Sequence, residues 1–315
     1  MTERNYGMRI AKTAIILCLS LLSSVAMSAE LSHTPLYVGV LENIDMPGDQ
    51  SLSSTIHVRV AFKKRGTEWV AMDTNFLDQA SLATINNHYP KSVQWTVVFD
   101  GRDLGSLVSR NPGPLHWYGD VGVQTIVGNK SAIPEIETLK NNFYYTDLKA
   151  LSRPLILVSA PNYTDPDGWK PTTLSRDEMK RAITAFRKHV PKMEHCDQPE
   201  EQPVHEVAYR DSAVELVKAY RSNKGELIFG LQLDPTTDTC GWFDDDTYKN
   251  YWFTVTKSGA VRFLDMSLTP MDAADLDRSG SSEWMFKTFS GEDTDGYELF
   301  YDDFSKSAKF TWSWH

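Results

Sequence analysis

The apolar positions of this chain fall into many short runs in which β-branched and aromatic residues alternate with polar ones. A side-chain period of two marks a strand with one face buried. "LYVGVLE" (36–42), "TIHVRVAFKK" (55–64) and "EWVAMD" (68–73) open the series, and "KRGTE" turns between the last two. "SVQWTVVFDGRDLGSLVSR" (92–110) reads as a hairpin with Asp100-Gly101 at its tip, a dipeptide that accepts the positive φ such turns need. "VGVQTIVG" (121–128) and "RPLILVSA" (153–160) follow, then a second hairpin, "VELVKAYRSNKGELIFGLQLD" (214–234), turning at "SNKG". "YWFTVTKSGAVRFLD" (251–265), "SEWMFKTFS" (282–290), "GYELFYDD" (296–303) and "AKFTWSWH" (308–315) complete the set. The fold class implied is mainly β, in antiparallel, short-stranded sheets; sandwich, barrel and β-propeller all satisfy the pattern.

One stretch has the other period. In "SRDEMKRAITAFRKHV" (175–190), Met179, Ile183 and Phe186 share a helix face. Ser175 stands at the N-cap with Glu178 three residues on, a capping box, and Pro191 stops the run. This is a helical insertion packed on the sheets by its apolar face. "HCDQPEEQPVH" (195–205) then reads as an exposed connector, although His205-Glu206 belongs to an expected strand.

The first residues change the picture. Arg4, Arg9 and Lys12 precede a short apolar run, Thr13 to Val25, and small residues Ala26 and Ala29 follow. That is the pattern of a secretory signal peptide, 1–29, too short and serine-rich for a membrane span. Residues 30–315 are then expected as a single β-rich domain, with 191–205 the place for any subdomain division. The expected location is periplasmic or extracellular, with no integral membrane association after cleavage. Export leaves Cys196 and Cys240, which in an oxidising compartment are most simply a disulfide. The competing arrangement is a metal cluster of "EHC" (194–196) with His205, but no second cysteine stands at zinc-site spacing.

A net charge of −10, more negative still without the basic leader, removes nucleic acid and anionic lipid as partners. An unknown protein or glycan is the partner class that remains. Nine tryptophans and thirteen tyrosines suffice for a core, and Trp95, Phe99, Trp252, Phe253, Trp312 and Trp314 are expected in it. There is no G-x-S-x-G, H-E-x-x-H, S-x-x-K or Walker-type loop. "HWYGD" (116–120) is a polar-aromatic stretch read as a strand end.

"DAADLDRSGSSEWMF" (272–286) is the one candidate site. With Asp275 as position one, Asp277 is three, Ser279 five, Gly280 the sharp turn at six, Ser281 seven and Glu283 nine. Hard cations take such alternating oxygens. Position twelve is Phe286 and the flanks are strands, which excludes an EF-hand. The competing account is a metal-free turn whose side chains bond their own backbone. "DLDRSGSSE" (275–283), followed by the strand "WMFKTF", resembles the FG-GAP (VCBS-type, integrin-α-like) repeat, whose loop reads D-x-[DN]-x-[DN]-G-x-x-[DE]. The resemblance spans roughly residues 259–315. It implies a propeller blade and Ca2+ held by Asp275, Asp277, Ser279, Ser281 and Glu283. Ser279 departs from the usual acid, and Arg278 stands where glycine is common. The expected function is an exported, non-catalytic interaction or scaffold module stabilised by calcium. The alternative is a secreted hydrolase acting on envelope or extracellular polysaccharide through paired carboxylates.

Overall fold

The computed structural model describes residues 35–44, 55–74, 81, 84–113, 118–128, 138–139, 150–151, 154–161, 164–197, 205–237, 239–240, 248–256, 259–289 and 294–313. The expected leader, 1–29, and Trp314 lie outside them, as do His116 and Trp117 of "HWYGD". No helix among the described residues is long and apolar enough to cross a membrane. From Leu36 onward the chain forms one compact unit.

The protein is mainly β, and every strand pairing is antiparallel. The N-terminal part supplies β1 (Tyr37–Ile44), β2 (Thr55–Arg65), β3 (Glu68–Ala71), β4 (Ser92–Phe99), β5 (Arg102–Arg110) and β6 (Val123–Val127). After the short pair β7 (Thr138–Leu139) and β8 (Ala150–Leu151) comes β9 (Leu155–Val158). The pairing order β1-β9-β4-β5-β6-β2 closes, because β2 also pairs with β1, and β3 extends β2. Six strands therefore form a ring without free edges, which removes the unpaired backbone that open sheets must protect. Asp100 and Gly101, both at positive φ, make the expected β4–β5 turn.

The second half begins with β10 (Lys170–Pro171) and the helix α1 (Arg176–Phe186), then the ribbon β11 (Met193–His195) and β12 (His205–Val207). β13 (Val214–Arg221), β14 (Leu227–Leu233), β15 (Tyr251–Val255) and β16 (Val261–Met266) join β10 in a five-stranded sheet. A four-stranded meander closes the chain: β17 (Leu268–Ala274), β18 (Glu283–Phe289), β19 (Thr294–Tyr301) and β20 (Lys306–Ser313).

The C-terminal meander is the middle layer. Alternation sends Met285, Tyr297, Leu299, Phe310 and Trp312 into the core shared with the ring, and Trp284, Phe286 and Phe300 against Ile228 and Trp252 of the five-stranded sheet. That sheet's other face, with Phe229, Leu231 and Phe253, packs on Ala182, Ile183 and Phe186 of α1. Burial on both faces explains why "EWMF" and "YELFY" are almost continuously apolar, where a half-exposed strand would alternate. The capping box is formed: the Glu178 backbone N–H donates to Ser175 Oγ at 3.3 Å, and the Ser175 N–H to Glu178 Oε2 at 2.8 Å. The helix ends at Phe186, so Lys188 and His189 lie past its last turn. Tyr118–Asp120 is a short 3-10 turn, which corrects the strand expected there.

Candidate metal centre

The acidic loop is the connection between β17 and β18, neighbours in one sheet. Their pairing ends at Ala274 and Glu283, so the loop's first and last acids are brought together by the register itself. Carboxylate oxygens of Asp275, Asp277 and Glu283 all lie within 4.8 Å of one another. Inside the loop the side chains fold back on the backbone: Asp275 Oδ2 accepts from the Gly280 N–H at 3.0 Å and Asp277 Oδ1 from the Ser279 N–H at 2.9 Å. Glu283 Oε2 accepts from the Leu276 N–H at 2.6 Å. Both accounts of the loop are thus visible, since it is a self-bonded turn and also a convergent set of hard oxygens. One oxygen is left over. Asp275 Oδ1 is enclosed and has no hydrogen-bond partner among the described residues.

Arg278 and Gly280 both take positive φ, 62° and 85°. Glycine accepts this freely, whereas arginine bears strain of roughly 1 kcal/mol or more. The Arg278 guanidinium reaches back to the Pro161 carbonyl, a tether glycine lacks.

Three more segments complete the site. From β2, the Lys64 ammonium pairs with Asp277 Oδ2 and lies 4.8 Å from the ring centre of Trp69 on β3. Trp69 Nε1 points at Glu283 Oε1, 3.5 Å away. The turn 164–169 backs the loop from the other side. Asp165 accepts from the N–H groups of Asp167, Gly168 and Trp169, and from Ser282 Oγ at 2.5 Å. The Ser282 N–H donates to buried Asp167 at 2.7 Å, and Lys224 is that carboxylate's ion-pair partner.

The electrostatics separate the three acids. Burial pushes the Glu283 carboxyl up to about 8, with the Asp277 charge adding to the rise. Burial also raises Asp275, against the hydrogen bonds it receives from the loop backbone. Burial works on Asp277 in the same sense, but the Lys64 hydrogen bond and charge prevail and hold it below the ordinary aspartate value. Ser279 and Ser281 line a groove of about 640 Å³ together with Asp277, Glu283, Tyr301 and Lys306. The expected ligand positions therefore divide: three acids converge, and the two serines sit on the adjoining groove wall.

Cys196 and Cys240 form a disulfide, with Cα atoms 4.9 Å apart. The mixed metal cluster of "EHC" with His205 is thereby excluded as a thiolate site, because the sulfur is committed. No protein-family model, curated protein or solved structure matches the chain.

Proposed function

We propose that this chain is an exported, non-catalytic interaction or scaffold module whose C-terminal sheet is fastened by a divalent cation, with calcium the best fit. The observation that carries this reading is the charge arrangement of the loop. Three convergent carboxylates face one ammonium, Lys64. Fully ionised, they leave two negative charges uncompensated in a half-buried place, and a doubly charged cation neutralises them. The donors are all hard oxygens, which suits calcium or magnesium over softer metals. Asp275 Oδ1, enclosed and unpartnered, is the oxygen such an ion would satisfy. Asp275, Asp277 and Glu283 would hold the ion, with Ser279 and Ser281 near enough in sequence to add oxygens through water.

The ion's role would be mechanical. The loop already ties β2, β3 and the 164–169 turn to the C-terminal meander. A cation bound only by the folded state adds stability by mass action. The FG-GAP-like ligand order supports the same reading. The paired-carboxylate hydrolase is supported less well, because acids flanking a glycosidic bond stand about 5–9.5 Å apart across a cleft, whereas these crowd around one point.

Calcium added to chelator-treated protein should raise its melting temperature, and Asp275→Ala should abolish the rise. An unsubstituted protein that melts at the same temperature with calcium and with chelator sinks the reading.

A further inference from the structure

With Cys196 and Cys240 committed to the disulfide, two histidines of the rejected cluster remain. His195 and His205 are direct cross-strand partners in the ribbon of β11 and β12. Side chains directly opposite in an antiparallel pair leave the same face with Cβ atoms about 4.5–5.5 Å apart. Asp197, two residues beyond His195, places Oδ1 3.9 Å from His195 Nε2. We infer that His195, His205 and Asp197 form a second metal site, for a borderline divalent ion such as Zn2+, separate from the acidic loop.

Three observations carry this. The first is the hydrogen bond on the far side of the His195 ring. Nδ1 lies 3.1 Å from Thr239 Oγ1, which also accepts from the Cys196 N–H at 2.8 Å. A hydroxyl oxygen can accept twice. When Nδ1–H donates there, Nε2 carries the lone pair, and this is the support a ligating histidine receives from its surroundings. The second is reach. The 3.9 Å gap between Nε2 and the Asp197 oxygen is less than the sum of a zinc–nitrogen and a zinc–oxygen bond, about 4.2 Å, so one ion spans those two, and the exposed His205 side chain must turn about its own bonds to join them. The third is anchoring. Cys196 stands between His195 and Asp197, and its bond to Cys240 fixes the end of the ribbon.

The donor set decides the metal. Two imidazoles and one carboxylate suit zinc, nickel or copper, whereas calcium prefers oxygen alone. Half-buried His195 and exposed His205 and Asp197 leave the remaining coordination position to water. Glu194 and Glu206 are the neighbouring cross-strand pair, on the opposite face, where Lys192 holds Glu206 at 2.9 Å. They are not ligands of this site.

Zinc titration of tag-free protein by calorimetry, in excess calcium so that the acidic loop is saturated, tests the assignment. One zinc per chain should bind. Thr239→Val should weaken it roughly tenfold, as loss of a supporting hydrogen bond does, and His205→Ala by more than that, while Asp275→Asn leaves it unchanged. The metal-free melting temperature of each variant confirms that it folds; if Thr239→Val does not, His195→Gln replaces it and should also lose more than tenfold. No zinc uptake by the unsubstituted protein overturns the site, as does a His205→Ala loss of less than tenfold.

Discussion

The Tyr297 hydroxyl donates to Glu42 Oε2, so two residues 255 positions apart join the first strand of the ring to the third strand of the C-terminal meander inside the core. Glu42 Oε1 accepts from Arg59 Nε at 2.5 Å and lies 3.0 Å from His57 Nε2. Arg59, fully buried, spends Nη1 on the carbonyls of Gly119 and Val121 and lies 4.0 Å from the ring centre of Trp312. Burial alone would raise Glu42, but the Arg59 charge and the His57 and Tyr297 contacts outweigh it and hold the carboxyl far below the ordinary range.

A network of this kind is costly to break from one side. Arg59→Met leaves Glu42 buried without its counter-charge, and such a loss costs about 3–5 kcal/mol. Tyr297→Phe removes one hydrogen bond to a charged group, about 1.5–3 kcal/mol. Urea unfolding should rank the two in that order. A Tyr297→Phe protein as destabilised as Arg59→Met would show that the phenol, and not the ion pair, carries the layer.

Glu298 titrates in the opposite sense. Burial raises its carboxyl to about 7, and the nearby Asp265 charge adds to the rise, against the Ser307 hydrogen bond and the Lys309 ammonium 4.0 Å away. Between about pH 4.5 and 7 the folded state therefore keeps a proton that the unfolded state releases. Its contribution is fully present below pH 4.5 and is lost as pH rises through 7. Glu298→Gln should flatten that part of the stability–pH curve, measured by urea unfolding at pH 4.5, 6 and 7.5. Parallel curves for the two proteins would refute the assignment.

Glu178 behaves in the usual carboxylate manner. The Ser175 backbone hydrogen bond lowers it most, and the Ser175 hydroxyl and Arg221 add to this, so that it falls to about 2 despite some burial. Its stabilisation is present above pH 4.5 and drains away as pH falls toward 2. Ser175→Ala should cost about 1 kcal/mol at pH 7 and less at pH 2.5, where Glu178 is partly protonated. Thermal melts at the two pH values give the comparison, and an equal cost at both would disconnect the cap from the titration.

The sequence shows local structure well because local structure has local causes. The β4–β5 turn at Asp100-Gly101, the capped start of α1 and the order of acids from Asp275 to Glu283 each depend on residues within a few positions. The Cys196–Cys240 disulfide is readable from the cysteine count together with the expectation of an oxidising compartment. What stayed hidden depends on which faces meet. His57 and Arg59 occupy the polar side of an alternating strand and look solvated, yet both are buried against Glu42, and Trp312 of the C-terminal meander lies over Arg59. Lys64, Trp69 and Asp165 give no sign of reaching a loop more than a hundred residues away. β17 is not among the apolar runs that mark the other strands, although the loop's flanks read as strands, because Pro270 and Asp272 interrupt it at a register shift. The only available hint was the near-continuous apolar run of β18, which signals a sheet covered on both sides.

Lys64 offers the sharpest test of how the acidic loop uses charge. Its ammonium is the one positive group among the described residues seen to touch the triad, through Asp277. Replacing it with methionine keeps an unbranched side chain beside Trp69 but removes the charge. In chelator, the variant should melt lower than the unsubstituted protein, because Asp277 loses its counter-ion. In calcium it should recover, and it should bind the ion more tightly, by roughly tenfold or ~1.4 kcal/mol, since no ammonium then repels the cation. Calorimetric titration of both proteins reads the difference directly. Equal or weaker calcium binding by Lys64→Met would mean that the lysine itself is the loop's cation and that no metal is needed there.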